Sequence, residues 1–250
     1  SAILETCEVL EKKGFEVTYI DVDGNGFIKI DELKDSIKPS TILISIMAAN
    51  NEIGTIQPIE EIAKIAHENN IVFHTDAVQG VGNMPIDVTK MNIDMLSLSG
   101  HKIHAPKGVG ALYVKNGINI EKIISGGHQE KDKRAGTENV AGIVGLGKAC
   151  EIANKNMHTH IKYLTKLRDY YIKKLQNEIP DKFRINGAME NRLPGNANIS
   201  FEGVNASELI FKLDEKGICV SSGSACSSGN AKPSHVLQAI KVPEKYLNSA

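Results

Sequence analysis

Between residues 41 and 114 short apolar runs alternate with a stretch of helical period. TILISIMA (41–48), IVFHT (71–75), DMLSLS (94–99) and ALYV (111–114) read as strands. PIEEIAKIAHENN (58–70), with apolar positions three and four apart, reads as an amphipathic helix opened by Pro58. This β-α-β alternation predicts an α/β fold whose mostly parallel sheet is covered by helices. Ahead of it, SAILETCEVLEKK (1–13) has helical spacing with Gly14 as its stop, and GFEVTYI (14–20) reads as a strand. DELKDSIK (31–38) is predicted as a short helix capped by Asp31.

Past Val140 the pattern predicts a helix to about residue 155 and then a second one, HIKYLTKLRDYYIKKLQNEI, ended before Pro180. FRIN (183–186), NANISF (196–201) and ICVSS (218–222) read as strands around the helix NASELIFKLDEKG. That α+β pattern differs from the first part. It divides the chain into a large unit, residues 1–157, and a smaller C-terminal unit, residues 158–250.

Composition narrows the classes. A 41% hydrophobic and 24% charged chain of 250 residues is ordinary for a soluble globular protein. A net charge of -1 and the lack of tryptophan offer no basic footprint or stacking platform, so nucleic acid is not an expected partner. No apolar run reaches membrane-spanning length. Four scattered cysteines without a CxxC pair argue against a disulfide framework or a zinc site, and for a reduced, cytoplasmic setting.

The candidate chemistry lies where strands end. Asn50-Asn51-Glu52, Asp76 to Gln79, and Ser99 to Lys102 each follow an apolar strand, and parallel sheets bind ligands beyond the carboxyl ends of their strands. Each residue has an ordinary alternative reading: Lys102 as a solvated lysine, Asp76 as a cap, His74 or His101 as satisfied hydrogen-bonders. Together, Asp76 and Lys102 match pyridoxal phosphate, which needs a lysine for its aldehyde and a carboxylate to keep its ring nitrogen protonated. Cys226, in the small-residue stretch SSGSACSSGNAKPS (221–234), is either an incidental thiol or a nucleophile on a moving arm. Cys7, Cys150 and Cys219 read as packing. SGGHQEKDKRAGTENV (125–140) reads as a functional loop or an oligomer contact. DVDGNGFIKIDE (21–32) fits a calcium-loop template, but turn chemistry between two strands explains it equally well.

HTDAVQGVG, SLSGHKIHAPKGVGALYV, GGHQEKDKRAGTEN and SSGSACSSG resemble the cysteine desulfurases of the NifS/IscS type, a branch of the class-V aminotransferases of fold type I. The resemblance runs from end to end. It implies that Lys102 carries pyridoxal 5'-phosphate and shuttles protons, that Asp76 pairs with the ring nitrogen and Gln79 with the ring hydroxyl, and that Asn51 lies beside cofactor and substrate. Ser99 and His101 would hold the phosphate, joined by Thr137 across a homodimer. Cys226 would take sulfur from L-cysteine as a persulfide, release L-alanine and pass the sulfur to an iron–sulfur scaffold protein. No resident metal is expected, Cys226 being a candidate transient ligand of an iron–sulfur cluster. Family members carry a phosphate loop and a ring-stacking histidine before the point matched by Ser1, and an arginine after Ala250. The expectation is therefore a piece of a longer enzyme.

Two rivals remain at this level. One is another class-V enzyme, a selenocysteine lyase or aminotransferase, against which the SSGSAC loop speaks. The other is a calcium module at residues 21–32.

Overall fold

The computed structural model describes residues 2–223 and 234–249. Its centre is a four-stranded sheet in the order β1 (Leu43–Ser45), β2 (Val72–Asp76), β3 (Met95–Ser99), β4 (Gly110–Val114). The first three strands are parallel and β4 returns antiparallel beside β3, the mostly parallel α/β sheet predicted. β1 is shorter than its apolar run, yet the pairing continues past it. The Ile46 N–H donates to the His74 carbonyl and the Ala48 N–H to that of Asp76.

The two faces of this sheet differ. Ile44, Phe73 and Leu96 turn into an apolar core against the helix that connects β1 to β2, α3 (Ile59–Glu68). The helix buries Ile59, Ile62, Ala63 and Ala66, the i, i+3, i+4, i+7 stripe read from sequence. Burying a side chain the size of Ile62 or Phe73, each fully enclosed, contributes roughly 1.5–3 kcal/mol. Glu60 and Glu61 in the first turn complement the helix dipole. The opposite face carries polar side chains, Ser45, His74 and Ser97, joined in one hydrogen-bonded row.

Elsewhere the structure corrects the pattern. The first helix, α1 (Ala2–Glu11), forms and is stopped by Gly14 in the left-handed region (φ +91°). GFEVTYI, however, is not a strand. A strand needs a neighbouring strand for its backbone groups, and among the described residues this segment pairs with none, the nearest bridge, Val22–Ile28, lying just past it. Helix α2 (Ile30–Asp35) has Lys29 at its N-cap, so Asp31 sits in the first turn instead. There its charge still favours the helix start, without a capping bond.

Residues 125–139 are largely exposed, with one short turn, α4 (Gln129–Asp132). The two helices expected on either side of residue 157 are one, α5 (Val140–Glu178), opened by the Asn139 side chain accepting from the Gly142 N–H. The junction KNMHTH contains no proline or glycine, so nothing interrupts the i→i−4 ladder. β5 (Phe183–Ile185) and β6 (Ile199–Phe201) pair antiparallel, and α6 (Ala206–Asp214) is capped by Asn205. Two short helices follow, α7 (His235–Ala239) and α8 (Glu244–Leu247). ICVSS forms no strand among the described residues, and Cys219 is exposed instead of packed. No helix among the described residues is long and apolar enough to cross a membrane.

The segment with the calcium-loop spacing is a tight turn. Oδ1 of Asp23 accepts from the Asn25 and Phe27 N–H groups, while Glu32 accepts from the Asp21 N–H and pairs with Lys29. No cluster of three or more His, Cys, Asp or Glu among the described residues is placed to hold a metal.

Candidate active site

Adjacent parallel strands set the site's frame. β2 ends at Asp76 and β3 at Ser99, with Asp76 in register with Ser97, so their carboxyl ends leave the sheet side by side. The chain beyond β1 reaches the same edge, since Ala48 bonds to Asp76, and continues into the Asn50–Gln57 loop. Asn51, Asp76, Gln79, Ser99, His101 and Lys102 thus gather at one end of three neighbouring strands.

Asp76 starts a turn. Its Oδ1 accepts from the Val78 N–H at 3.0 Å, leaving the second oxygen without a hydrogen bond among the described residues. Gln79 is half-buried on that turn, its carbonyl accepting from the Asn83 side chain. Behind Asp76, His74 is buried with Nδ1 2.8 Å from Ser45 Oγ and Nε2 2.9 Å from Ser97 Oγ. Burial pushes this imidazole below its ordinary value, with the Asp76 carboxylate pulling the other way. A neutral ring bridging two hydroxyls fixes the strand ends on either side of Asp76.

Lys102 lies in a single 3₁₀ turn, Gly100–Ile103, directly after β3. Gly100 is required there: a Cβ would come within 2.8 Å of the Val109 carbonyl that its own N–H bonds. Ile103 is buried against Leu146 and Ala149 of α5, which pins the turn from below. Lys102 itself is exposed and has no hydrogen bond or ion pair among the described residues. The Oγ of Ser99 and Nδ1 of His101 are 2.8 Å apart. Thr137 is exposed in the loop before α5, and Cys226 lies outside the described residues.

Pyridoxal phosphate calls for an amine at its aldehyde, an acid at its ring nitrogen and hydroxyl or imidazole donors at its phosphate. This donor set fits: a lysine and one oxygen of a carboxylate, each without a hydrogen bond among the described residues, and a serine–histidine pair stand at neighbouring strand ends.

Two residues carry more of the site than their sequence context signals. Glu52, beside Asn51, is buried, and Asn50 Oδ1 receives its N–H together with that of Ile53. Arg192, also buried, donates to the carbonyls of Asn186, Ala188 and Asn196 and to Asn196 Oδ1. Burial, and after it the charge of Arg168, pushes its guanidinium down to about 10. Asn196 in turn donates to the Glu52 carbonyl at 2.8 Å, so the Arg192 knot supports the site loop. The only sequence signal was the crowding of asparagine and glycine around Arg192.

A parallel sheet presenting acid, amide and amine at one edge is the frame of the α/β enzymes that handle amino acids through pyridoxal phosphate. Residues 1–244 match the aminotransferase class-V family, and the chain belongs to it. It is 55% identical over 242 residues to the cysteine desulfurase IscS of Dictyoglomus turgidum, covering 97% of this chain and 61% of that protein. To the IscS of Methanosarcina thermophila it is 53% identical, covering 100% and 61%. The chain thus spans about 61% of the length of these curated relatives. Among solved structures, a NifS-like protein superposes with a TM-score of 0.90 at 39% identity, covering 99% of this chain and 65% of that one. SspA in complex with cysteine gives 0.82 at 40% identity, covering 99% and 68%.

Proposed function

We propose that the protein containing this chain is a pyridoxal-phosphate-dependent cysteine desulfurase, converting L-cysteine to L-alanine and holding the sulfur as a persulfide on Cys226. The observation that carries this reading is the arrival of Asp76 and Lys102 at the ends of adjacent parallel strands. Relatives named cysteine desulfurase at 53–55% identity support it, as does a similar structure described with cysteine bound. Residues 1–157 would form the large unit and 158–250 the small one.

When bound, the cofactor supplies an electron sink for the substrate's carbon centre. Lys102 holds it and moves a proton at Nζ. Asp76 keeps the ring nitrogen protonated, Gln79 meets the ring hydroxyl, Ser99 and His101 take the phosphate, and Asn51 lies beside cofactor and substrate. Thr137 serves the phosphate of a second copy in a homodimer. The Cys226 thiolate attacks the substrate sulfur: an S–S bond forms, the Cβ–S bond breaks, and the carbon keeps the bonding pair and is protonated to alanine. The persulfide then goes to a thiol of a scaffold protein in the cytoplasm, serving iron–sulfur assembly.

The test uses the complete protein. After addition of pyridoxal phosphate and borohydride, mass spectrometry finds the reduced adduct on Lys102. An adduct on another lysine refutes the assignment. Cys226→Ser abolishes persulfide formation and leaves the adduct intact, and activity surviving that change removes the thiol from the mechanism.

A further inference from the structure

Glu52 is a buried acid next to Asn51 that the chemistry above does not use. Its backbone is held from both sides. The N–H goes to Asn50 Oδ1 and the carbonyl receives Asn196 Nδ2, each bond 2.8–2.9 Å long. The side chain is turned away from solvent and crosses to the C-terminal part of the chain. There Oε2 accepts a hydrogen bond from the Ser234 hydroxyl, 182 positions along. Near that oxygen is Gly223, in the left-handed region at φ +52°. A Cβ built on Gly223 lies 3.8 Å from Glu52 Oε2 and equally far from Ser234 Cβ.

Gly223 and Ser234 are the described residues that flank positions 224–233, which contain Cys226. The carboxylate of Glu52 therefore binds one flank, Ser234, and stands close to the other, Gly223, one residue away from the candidate site residue Asn51. The Ser234 hydroxyl is engaged twice, donating to Glu52 and accepting from the Val236 N–H as the cap of α7. A charged acceptor strengthens such a chain. The next residue, Ile53, fills the core formed by Leu237, Ile240 and Val242, so two consecutive residues of the site loop grip the same short helix.

We infer that Glu52 is a positioning residue which fixes the base of the Cys226-bearing segment to the loop carrying Asn51. It sets where that segment starts and ends relative to the strand-end site. Its effect on sulfur transfer rests on the desulfurase reading, whereas the anchoring itself does not.

Two substitutions in the complete protein test it. Glu52→Met keeps a buried side chain of similar length without an acceptor, and Glu52→Gln restores an oxygen for Ser234. Hydrogen exchange over residues 218–223 and 234–240 is read without cofactor or substrate, alongside Lys102 adduct yield and single-turnover persulfide on Cys226. In Glu52→Met, exchange in both flanks and the persulfide rate are expected to change about tenfold to a hundredfold, faster and slower respectively. Adduct yield stays unchanged, and Glu52→Gln recovers most of both losses. Unchanged exchange in Glu52→Met overturns the anchor. Loss of the adduct together with the persulfide also overturns it, because Glu52 would then act on the cofactor site itself. If the parent forms no persulfide on Cys226, the desulfurase reading fails, and the exchange measurement alone decides the anchor.

Discussion

Nε2 of His67, near the end of α3, lies 2.7 Å from Oδ2 of Asp94, at the end of the sheet opposite the candidate site. The same oxygen accepts from the Phe73 N–H, and Oδ1 receives Lys115 Nζ at 3.2 Å. One buried carboxylate thus ties α3, β2, β3 and the residue after β4 together. Asp94→Ala leaves the buried Phe73 N–H without its acceptor, while His67 and Lys115 are exposed enough to turn to water, so the cost should be about 1–3 kcal/mol. Urea unfolding of the complete protein should show a loss of that order. A loss under about 1 kcal/mol would mean that water replaces the carboxylate.

Acid should weaken the fold in two stages. His74 has a folded-state value below its ordinary one because of burial, opposed by Asp76, so the unfolded chain binds the proton first. Its share of stability is complete above the ordinary histidine value of about 6.5 and is lost as pH falls below that. For Asp94, burial pushes upward, but the Phe73 N–H, His67 and Lys115 outweigh it and hold the carboxyl below the ordinary range. Its share is complete above about 3.9 and is lost as pH falls from there toward the depressed value. Unfolding midpoints measured against pH should show both windows, and His74→Gln should flatten the upper one alone.

The contact between the site loop and the C-terminal part depends on one glycine. Gly187 is at φ +87°, and a Cβ there would lie 2.5 Å from the Ile53 carbonyl and 3.0 Å from Thr55 Oγ1. Backbone cannot yield as a flexible side chain can. Gly187→Ala therefore combines left-handed strain with overpacking and should cost about 2–4 kcal/mol, seen as a lowered unfolding midpoint. Gly203, also left-handed but with open space around it, is the control and should lose no more than about 1–2 kcal/mol on the same change.

Much of this frame was legible because it is periodic. The i, i+3, i+4, i+7 stripe of α3 and the apolar runs before Asp76 and Ser99 specify a parallel ladder whose ends carry the candidate site residues. What was not legible depends on partners remote in sequence. GFEVTYI and ICVSS have the composition of strands but nothing beside them to pair with among the described residues, so Phe15, Tyr19, Ile218 and Val220 remain exposed. The polar row Ser45–His74–Ser97 joins three strands, and no one of them announces it alone. Glu52 looked like part of a polar loop because the serine that receives its side chain is 182 residues away.

The charge of Asp76 can be separated from its structural use. Its Oδ1 holds the turn by accepting from the Val78 N–H, and an asparagine oxygen can accept that bond equally well. Asp76→Asn should therefore keep the fold, and with it the His74 row behind the strand ends. The variant lacks the negative charge proposed to keep the cofactor's ring nitrogen protonated. Lys102 should still give the borohydride-reducible adduct, while alanine release falls about 10²-fold or more, the scale on which one electrostatic contact at a reacting centre acts. Unfolding midpoints within about 1 kcal/mol of the parent would exclude a structural cause. Alanine release at the parent rate with the adduct intact would show that Asp76 serves the turn alone, and the acid at the ring would have to be sought elsewhere.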